Sequence, residues 1–295
     1  MRLSTVILPI HRWTEGRKVW RRAEDLGFHA AYTYDHLSWR SFREHPWFGA
    51  VPTLTAAATA TERLRLGTMV TSPNFRHPVT LAKDLAAIDD ISCGRLIAGI
   101  GAGGTGFDAT ALGGQPWSPR ERADRLAEFV PLLDRLLSEP AVTQEGTYYT
   151  ANDVRMIPSG RQRPRVPMYI AATGPRGMRL TARHGEGWIT YGDPRDAKTT
   201  AARDCPAVIA EQLERLSDIC AAEGRKPEEL AKVLLQGSTP ERPLDSLDAF
   251  VDYAGRYREL GITELVLHWP VPDSVFAADQ AVFERIATEG LRQLD

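Results

Sequence analysis

Short apolar runs rich in β-formers alternate along this chain with longer stretches whose apolar residues recur at helical spacing. The clearest instance is Arg65–Gly104. Leu64–Thr71 reads as a strand closed by Pro73, and Pro78–Ile91 carries Val79, Leu81, Ala82, Leu85, Ala86 and Ile88 on one helical stripe. Gly94 breaks the chain, and Arg95–Gly101 reads as a second strand that opens into Ala102, Gly103 and Gly104. Strand, helix and strand in this order make a βαβ unit with parallel strands and a right-handed crossover. Ligands of such units bind at the carboxyl ends of the strands.

The alternation continues on both sides. Upstream, Leu3–Ile10 reads as a strand, Glu15–Leu26 as a helix closed by Gly27, and Ala30–Tyr34 as a strand ending at Asp35-His36. A long loop, Leu37–Phe48, leads to an Ala-rich helix at Val51–Thr61. Downstream, Pro119–Leu137 is an amphipathic helix with Ser118 as its expected N-cap. The period then changes: Val142–Tyr149, turning at Gly146, reads as a β-hairpin within an insertion at about 141–166, too small to hold a core of its own. Met168–Ala172, Gly187–Tyr191, Lys232–Gln236 and Glu264–His268 complete eight strands, with helices expected at Met178–Arg183, Pro206–Glu223, Leu247–Leu260 and Phe276–Leu294. The expected fold is α/β: a (β/α)8 TIM barrel of one domain, with the hairpin inserted between strands four and five.

Composition narrows the function. An apolar share of 43%, a formal charge of −2 and a pI near 6.4 favour neither a nucleic-acid nor a membrane surface, and no apolar run approaches a membrane span. Cys93, Cys205 and Cys220 match neither a disulfide framework nor a metal spacing, so a reducing cytoplasm is the expected location. Three histidines (His11, His36 and His268) stand at strand ends with Trp269, but no HxH or HxxxH pair points to a metal, and none is expected. In Ala172-Thr173-Gly174-Pro175-Arg176-Gly177, glycines, a helix start and a cation form a candidate anion site. GIGAGGTG (Gly99–Gly106) contains a GxGxxG pattern, but no helix follows it, so a dinucleotide fingerprint is rejected. These glycines instead keep the rim thin enough for a flat ring to lie against backbone.

Three segments carry a family resemblance: GTMVTSPNFRHPVTLAK (Gly67–Lys83), the IDDIS of Ile88–Ser92, and GRLIAGIGAG (Gly94–Gly103). Together they resemble the luciferase-like superfamily of flavin- and deazaflavin-dependent oxidoreductases. Tyr34-Asp35-His36-Leu37, SPNFRHP (Ser72–Pro78) and HWP (His268–Pro270) are most similar to the branch that uses coenzyme F420, with FMN as the alternative. The resemblance implies that 172–177 holds the cofactor phosphate. It also implies a non-prolyl cis bond at Met69-Val70 supporting the middle ring, with Thr68, Thr71, Gly101, Ala102 and Gly103 around it. His36 is expected to hydrogen-bond the substrate or transfer a proton, and Asp35 to contact the ring's pyrimidine edge or position the histidine. His11, Trp39, Trp47, His268 and Trp269 are expected on the substrate side.

F420 carries an acidic tail. Arg40, Arg43, Arg76, His77, Arg161, Arg163, Arg165, Arg176 and Arg179 are expected to form a basic rim for it. Sugar-phosphate dehydrogenases of this branch bear glutamates where this chain has Gly104 and Ile10-His11, which argues against sugar-phosphate oxidation. The expected activity is reduction of an activated C=C or C=N bond in a small or modified-peptide substrate. The alternatives are an FMNH2-dependent monooxygenase and a flavin-binding protein without turnover. A homodimer is compatible with the resemblance.

Overall fold

The structure is a computed structural model that describes residues 1–192, 201–237 and 240–294. Its strands are β1 (Arg2–Val6), β2 (Ala30–Thr33), β3 (Arg65–Thr68), β4 (Leu96–Ile100), β5 (Ala141–Gln144), β6 (Ala151–Arg155), β7 (Met168–Ala171), β8 (Gly187–Thr190), β9 (Ala231–Leu235) and β10 (Glu264–His268). The α-helices are α1 (Trp13–Asp25), α2 (Ala50–Ala60), α3 (Pro78–Ile91), α4 (Pro119–Ser138), α5 (Pro175–His184), α6 (Cys205–Ala222), α7 (Leu247–Glu259) and α8 (Gln280–Glu289). All strands but β5 and β6 close into one parallel barrel in the order β1-β10-β9-β8-β7-β4-β3-β2. β5 and β6 pair antiparallel outside it.

Parity along the strands divides the core into two layers. Ile97, Tyr169 and Val266 face the lumen with Val6, Tyr32 and Val233, whereas their neighbours Leu96, Ala98, Ile170, Leu265 and Leu267 pack outward against the helices. Two lumen tyrosines fit only because their partners across the sheet are glycines. A Cβ on Gly67 would lie 2.7 Å from the Tyr32 ring, and one on Gly187 would lie 2.7 Å from the Tyr169 ring. At the strand-start end, Glu264 is fully buried; its Oε1 accepts from Ser4 Oγ at 2.7 Å and Tyr32 Oη at 2.9 Å, and Arg2 approaches at 3.7 Å. Burial pushes its carboxyl pKa up, against the pull of the Ser4 hydrogen bond and Arg2.

Two expectations need correction. The closing helix starts at Gln280, not Phe276: Asp279 accepts from Val282 N as the N-cap and leaves Phe276 in the preceding loop. The hairpin is wider than Val142–Tyr149, because the Glu128 carboxylate of α4 collects the N–H groups of Thr147, Tyr148 and Tyr149 and organises 145–150 into a loop. Gly146 sits against that carboxylate, where a Cβ would lie 2.1 Å from Oε1. The expected N-cap of α4 is present, with Ser118 Oγ accepting from Glu121 N at 3.1 Å.

Burial shifts Glu264 toward the protonated form when folded, so its contribution to stability is present below the carboxyl's unfolded pKa and is lost as pH rises through the raised folded value. Thermal melts of the wild type and Glu264→Gln between about pH 4 and about pH 7 should therefore diverge. The wild type should lose stability relative to the variant as pH increases, and parallel curves would contradict the assignment.

Candidate active site

The candidate groups stand at the carboxyl ends of the barrel strands. Asp35, just beyond β2, is 2% exposed and fully engaged by the chain that follows β3. Thr71 Oγ1 donates to its Oδ2 at 2.6 Å, and Arg76 donates from Nε to Oδ2 at 3.0 Å and from Nη2 to Oδ1 at 2.7 Å. Burial works against the Arg76 charge, but the Asp35 hydrogen bonds and charge outweigh it and hold the guanidinium pKa above its ordinary value. Asp35 therefore clamps the loop after β3 and makes no side-chain hydrogen bond to His36 among the described residues.

His36 is held by a residue that no motif indicated. Its Nδ1 hydrogen-bonds Asp108 Oδ2, and Asp108 Oδ1 accepts from Leu37 N at 2.7 Å. Trp47 Nε1 donates to the His36 carbonyl at 2.7 Å. The His36 side chain is 30% exposed, the Asp108 side chain is 5% exposed, and His36 Nε2 makes no hydrogen bond among the described residues.

The rim around β3 and β4 is thin. The Met69-Val70 peptide is cis, and Met69 N donates to Thr33 O at 2.9 Å. Val70 lies over the two glycines of β4 and its end: a Cβ on Gly101 would sit 2.7 Å from Val70 Cγ2, and one on Gly99 would sit 1.9 Å from Thr68 O. Thr71 continues the pairing, donating to Gly99 O and accepting from Gly101 N. Thr68 points its hydroxyl to Gly99 O, inside the sheet. Ala102 is half-buried, and Gly103, at φ +73, passes beside Asn74, whose Nδ2 donates to Gly104 O at 3.0 Å.

Across the rim, Gly174 begins α5 without a side-chain cap, so the N–H groups of Arg176 and Gly177 point out of the first turn unpaired by the helix. Ala172 N pairs with Ile189 O, and Gly177 lets this turn press against Ala172, where a Cβ would meet the alanine's Cβ at 2.7 Å. Thr173 lies between, and nothing stands within 4 Å of a Cβ on Gly174. An open, uncapped helix start of this kind suits a phosphate. Arg176 is already paired with Asp124 at 2.5 Å. A rim on which glycines let Val70 lie close against β4, together with an uncapped helix start, fits a flat ring with a phosphorylated chain.

On the other side of the mouth, His268 and Trp39 meet Tyr34, Phe42 and Phe276. Phe276 stacks on His268 with centroids 4.0 Å apart and on Trp39 at 5.4 Å, and Trp47 lies 6.2 Å from Phe42. His268 Nε2 is 2.8 Å from the Tyr34 hydroxyl. Burial holds the His268 pKa down at about 3, against a weaker upward pull from the Gln236 backbone, so it is neutral.

Residues 1–258 match the luciferase-like monooxygenase family over most of the chain. The chain belongs to that family. Among its luciferase-like relatives, the F420-dependent glucose-6-phosphate dehydrogenase of Beutenbergia cavernae is 33% identical, covering 92% of this chain and 90% of its own. The F420-dependent hydroxymycolic acid dehydrogenase of Mycobacterium tuberculosis is 33% identical over 61% of this chain and 50% of its own. In fold, the chain is similar to the coenzyme F420 dependent tetrahydromethanopterin reductase of Methanopyrus kandleri, at a TM-score of 0.77 and 18% identity, covering 100% of this chain and 99% of that one. It is also similar to an F420-dependent secondary alcohol dehydrogenase solved with an F420-acetone adduct, at a TM-score of 0.78 and 19% identity, covering 97% and 98%.

Within this luciferase-like barrel, five expected positions differ from their expected roles. Trp269 faces the helices and packs on Phe283 at 5.2 Å, because it follows the lumen-facing His268 by one residue. His11 packs its Cβ 3.5 Å from where a Gly16 Cβ would be, at the start of α1; burial lowers its pKa while Glu15 pulls the other way. No hydrogen bond or ring contact joins it to His36 or His268 among the described residues. Arg161, Arg163 and Arg165 lie at the strand-start face: Arg161 N donates to Asp89 beside the start of β4, Arg163 folds onto Gly160 O, and Arg165 is buried against Asp134 and Glu186. No cluster of three or more metal-ligating side chains occurs among the described residues.

Removing Arg76 strands the buried Asp35 charge. Arg76→Ala should cost about 3 kcal/mol in chemical denaturation. Arg76→Lys should recover less than half of it, because an ammonium cannot make the two-pronged contact. A ring-proton titration should find His268 still neutral at about pH 4.

Proposed function

We propose that this chain is an F420-dependent oxidoreductase. In this reading it moves a hydride between the deazaflavin and an activated C=C or C=N bond of a small or peptide-like metabolite, and His36 handles the accompanying proton. The observation that carries the proposal is the His36 imidazole, fixed at Nδ1 while Nε2 stays unbonded on the same rim as the glycine face of β4 and the uncapped start of α5. The F420 named for the sequence relatives and for two structural neighbours supports the choice of cofactor.

When bound, the deazaflavin supplies a carbon centre that gives or takes hydride. The protein's own groups do the rest. Arg176 N–H and Gly177 N–H in the first turn of α5 would hold phosphate, and Val70, seated close against Gly99 and Gly101, would give a flat ring its surface. Asp35, with its carboxylate saturated by Thr71 and Arg76, keeps the loop after β3 in place. Trp39, Phe42, Trp47 and Phe276 exclude water from the substrate side, and neutral His268 adds no charge there. His36 Nε2 then accepts or returns a proton at the substrate heteroatom or carbon.

This lining also favours an uncharged substrate over the sugar phosphate named for the relatives, since Arg76 and Arg176 are committed to Asp35 and Asp124.

The test combines binding and turnover. Fluorescence quenching should show tighter binding of F420 than of FMN. Reduced F420 should be oxidised with cyclohex-2-enone (C=C) or 3,4-dihydroisoquinoline (C=N), and glucose 6-phosphate should not reduce the oxidised cofactor. His36→Ala should lower turnover by about 10²-fold or more with cofactor affinity little changed. Tight FMNH2 binding with oxygen uptake and no F420 binding would establish the monooxygenase alternative instead.

A further inference from the structure

Asp108 lies in no motif, yet its carboxylate holds both the His36 ring and the Leu37 backbone. It sits in the one-turn 3-10 segment Phe107–Ala109 of the loop after β4. Its neighbours Gly104–Gly106 and Thr110–Pro116 are exposed, whereas its own side chain is 5% exposed. Both carboxylate oxygens are used, one on His36 Nδ1 and one on Leu37 N, across 72 residues of sequence from the histidine. An ionised carboxylate only accepts, so the shared proton belongs to Nδ1, and in the neutral ring the lone pair is then on Nε2, which has no hydrogen-bond partner among the described residues. The same loop grips its partner once more next door: the Arg43 guanidinium lies over the Phe107 ring at 4.3 Å. Phe107 and Asp108 of the 101–118 loop therefore hold the chain after β2 at Arg43, His36 and Leu37.

We propose that Asp108 is a positioning residue that locks His36 in the tautomer with hydrogen on Nδ1, and that docking of the 101–118 loop through Asp108 and Phe107 assembles the proton-handling group. This rests on the reading that His36 moves the proton. A carboxylate that merely capped Leu37 N would not need its second oxygen on the imidazole. Asparagine separates the two roles: its carbonyl can still cap Leu37 N, but its amide then turns a donor toward Nδ1 and demands the opposite tautomer.

The experiment is 15N NMR of the histidine ring nitrogens in the whole chain, alongside F420 affinity and turnover of reduced F420 with cyclohex-2-enone and 3,4-dihydroisoquinoline. Wild type should show His36 protonated on Nδ1. Asp108→Asn should move the proton to Nε2 and lower kcat at least tenfold, within the up to about 10⁴-fold that a wrong tautomer can cost, with F420 affinity unchanged. Arg43→Ala, an exposed change that leaves the carboxylate in place, should give a mixture of tautomers and a several-fold fall in kcat. The proposal is overturned if His36 keeps hydrogen on Nδ1 in Asp108→Asn, or if F420 affinity and kcat fall together. If His36→Ala leaves turnover intact, the functional reading falls instead, and the ring nitrogens still report whether the lock exists.

Discussion

A carboxylate that is 2% exposed must be met by donors or it destabilises the fold. Asp35 draws all of its donors from the segment after β3, through Thr71 and Arg76. That segment must therefore run back across the end of β2, which brings Thr71 into its bridge with Ile100 and lets His77 cap α3 at Val79 N. The clamp also separates two neighbours. With Asp35 saturated, His36 has to find its partner elsewhere, and the loop after β4 supplies it. One buried charge thus sets the course of the rim and leaves the next residue available for chemistry.

The opposite end of the barrel leaves the proposed chemistry no room but the top. Tyr32 and Tyr169 fill the lower lumen against Gly67 and Gly187, and Glu264 with Ser4 and Arg2 closes the space beneath. A large ligand cannot enter there, because the same side chains are needed to fill the interior. Toward the strand ends the pattern reverses. Glycines at 99 and 101 face Val70 rather than a ring, and the lumen opens under aromatic groups contributed by loops. Small residues pack large neighbours at the bottom and leave a flat surface at the top.

Much of this was legible because it is local. Pro78 at the start of α3 and Gly94 after it mark that helix with its observed bounds, and β10 runs over the expected Glu264–His268. Ser118 announces α4. Strand ends were overrun where apolar residues stay buried beyond the ladder: Ile7 and Leu8 are as hidden as Val6, though β1 stops at Val6. Phe276 read as helix because its apolar neighbours share a helical spacing, but the Asp279 cap decides the start. Trp269 was an error of parity that strand geometry alone could have prevented: one residue after a lumen-facing histidine, it had to face the helices. Asp108 was beyond local reading, since its meaning depends on a histidine 72 positions away.

His36 and His268 show why residue type underdetermines role. Both come from strand ends at the same mouth, and both have one ring nitrogen engaged. The partner of His268 is a tyrosine hydroxyl whose own proton burial makes hard to remove, and Phe276 covers its face; the Gln236 backbone favours a positive ring too weakly to offset burial, so it remains a neutral wall. The partner of His36 is a carboxylate, the group that best supports charge developing on an imidazole, and its other nitrogen has no hydrogen-bond partner among the described residues. Exchanging protons needs a partner of opposite charge on one side and an approachable lone pair on the other. On the proposed reading His36 is the one of the two that has both, through a loop whose other contacts hold it against the same neighbour.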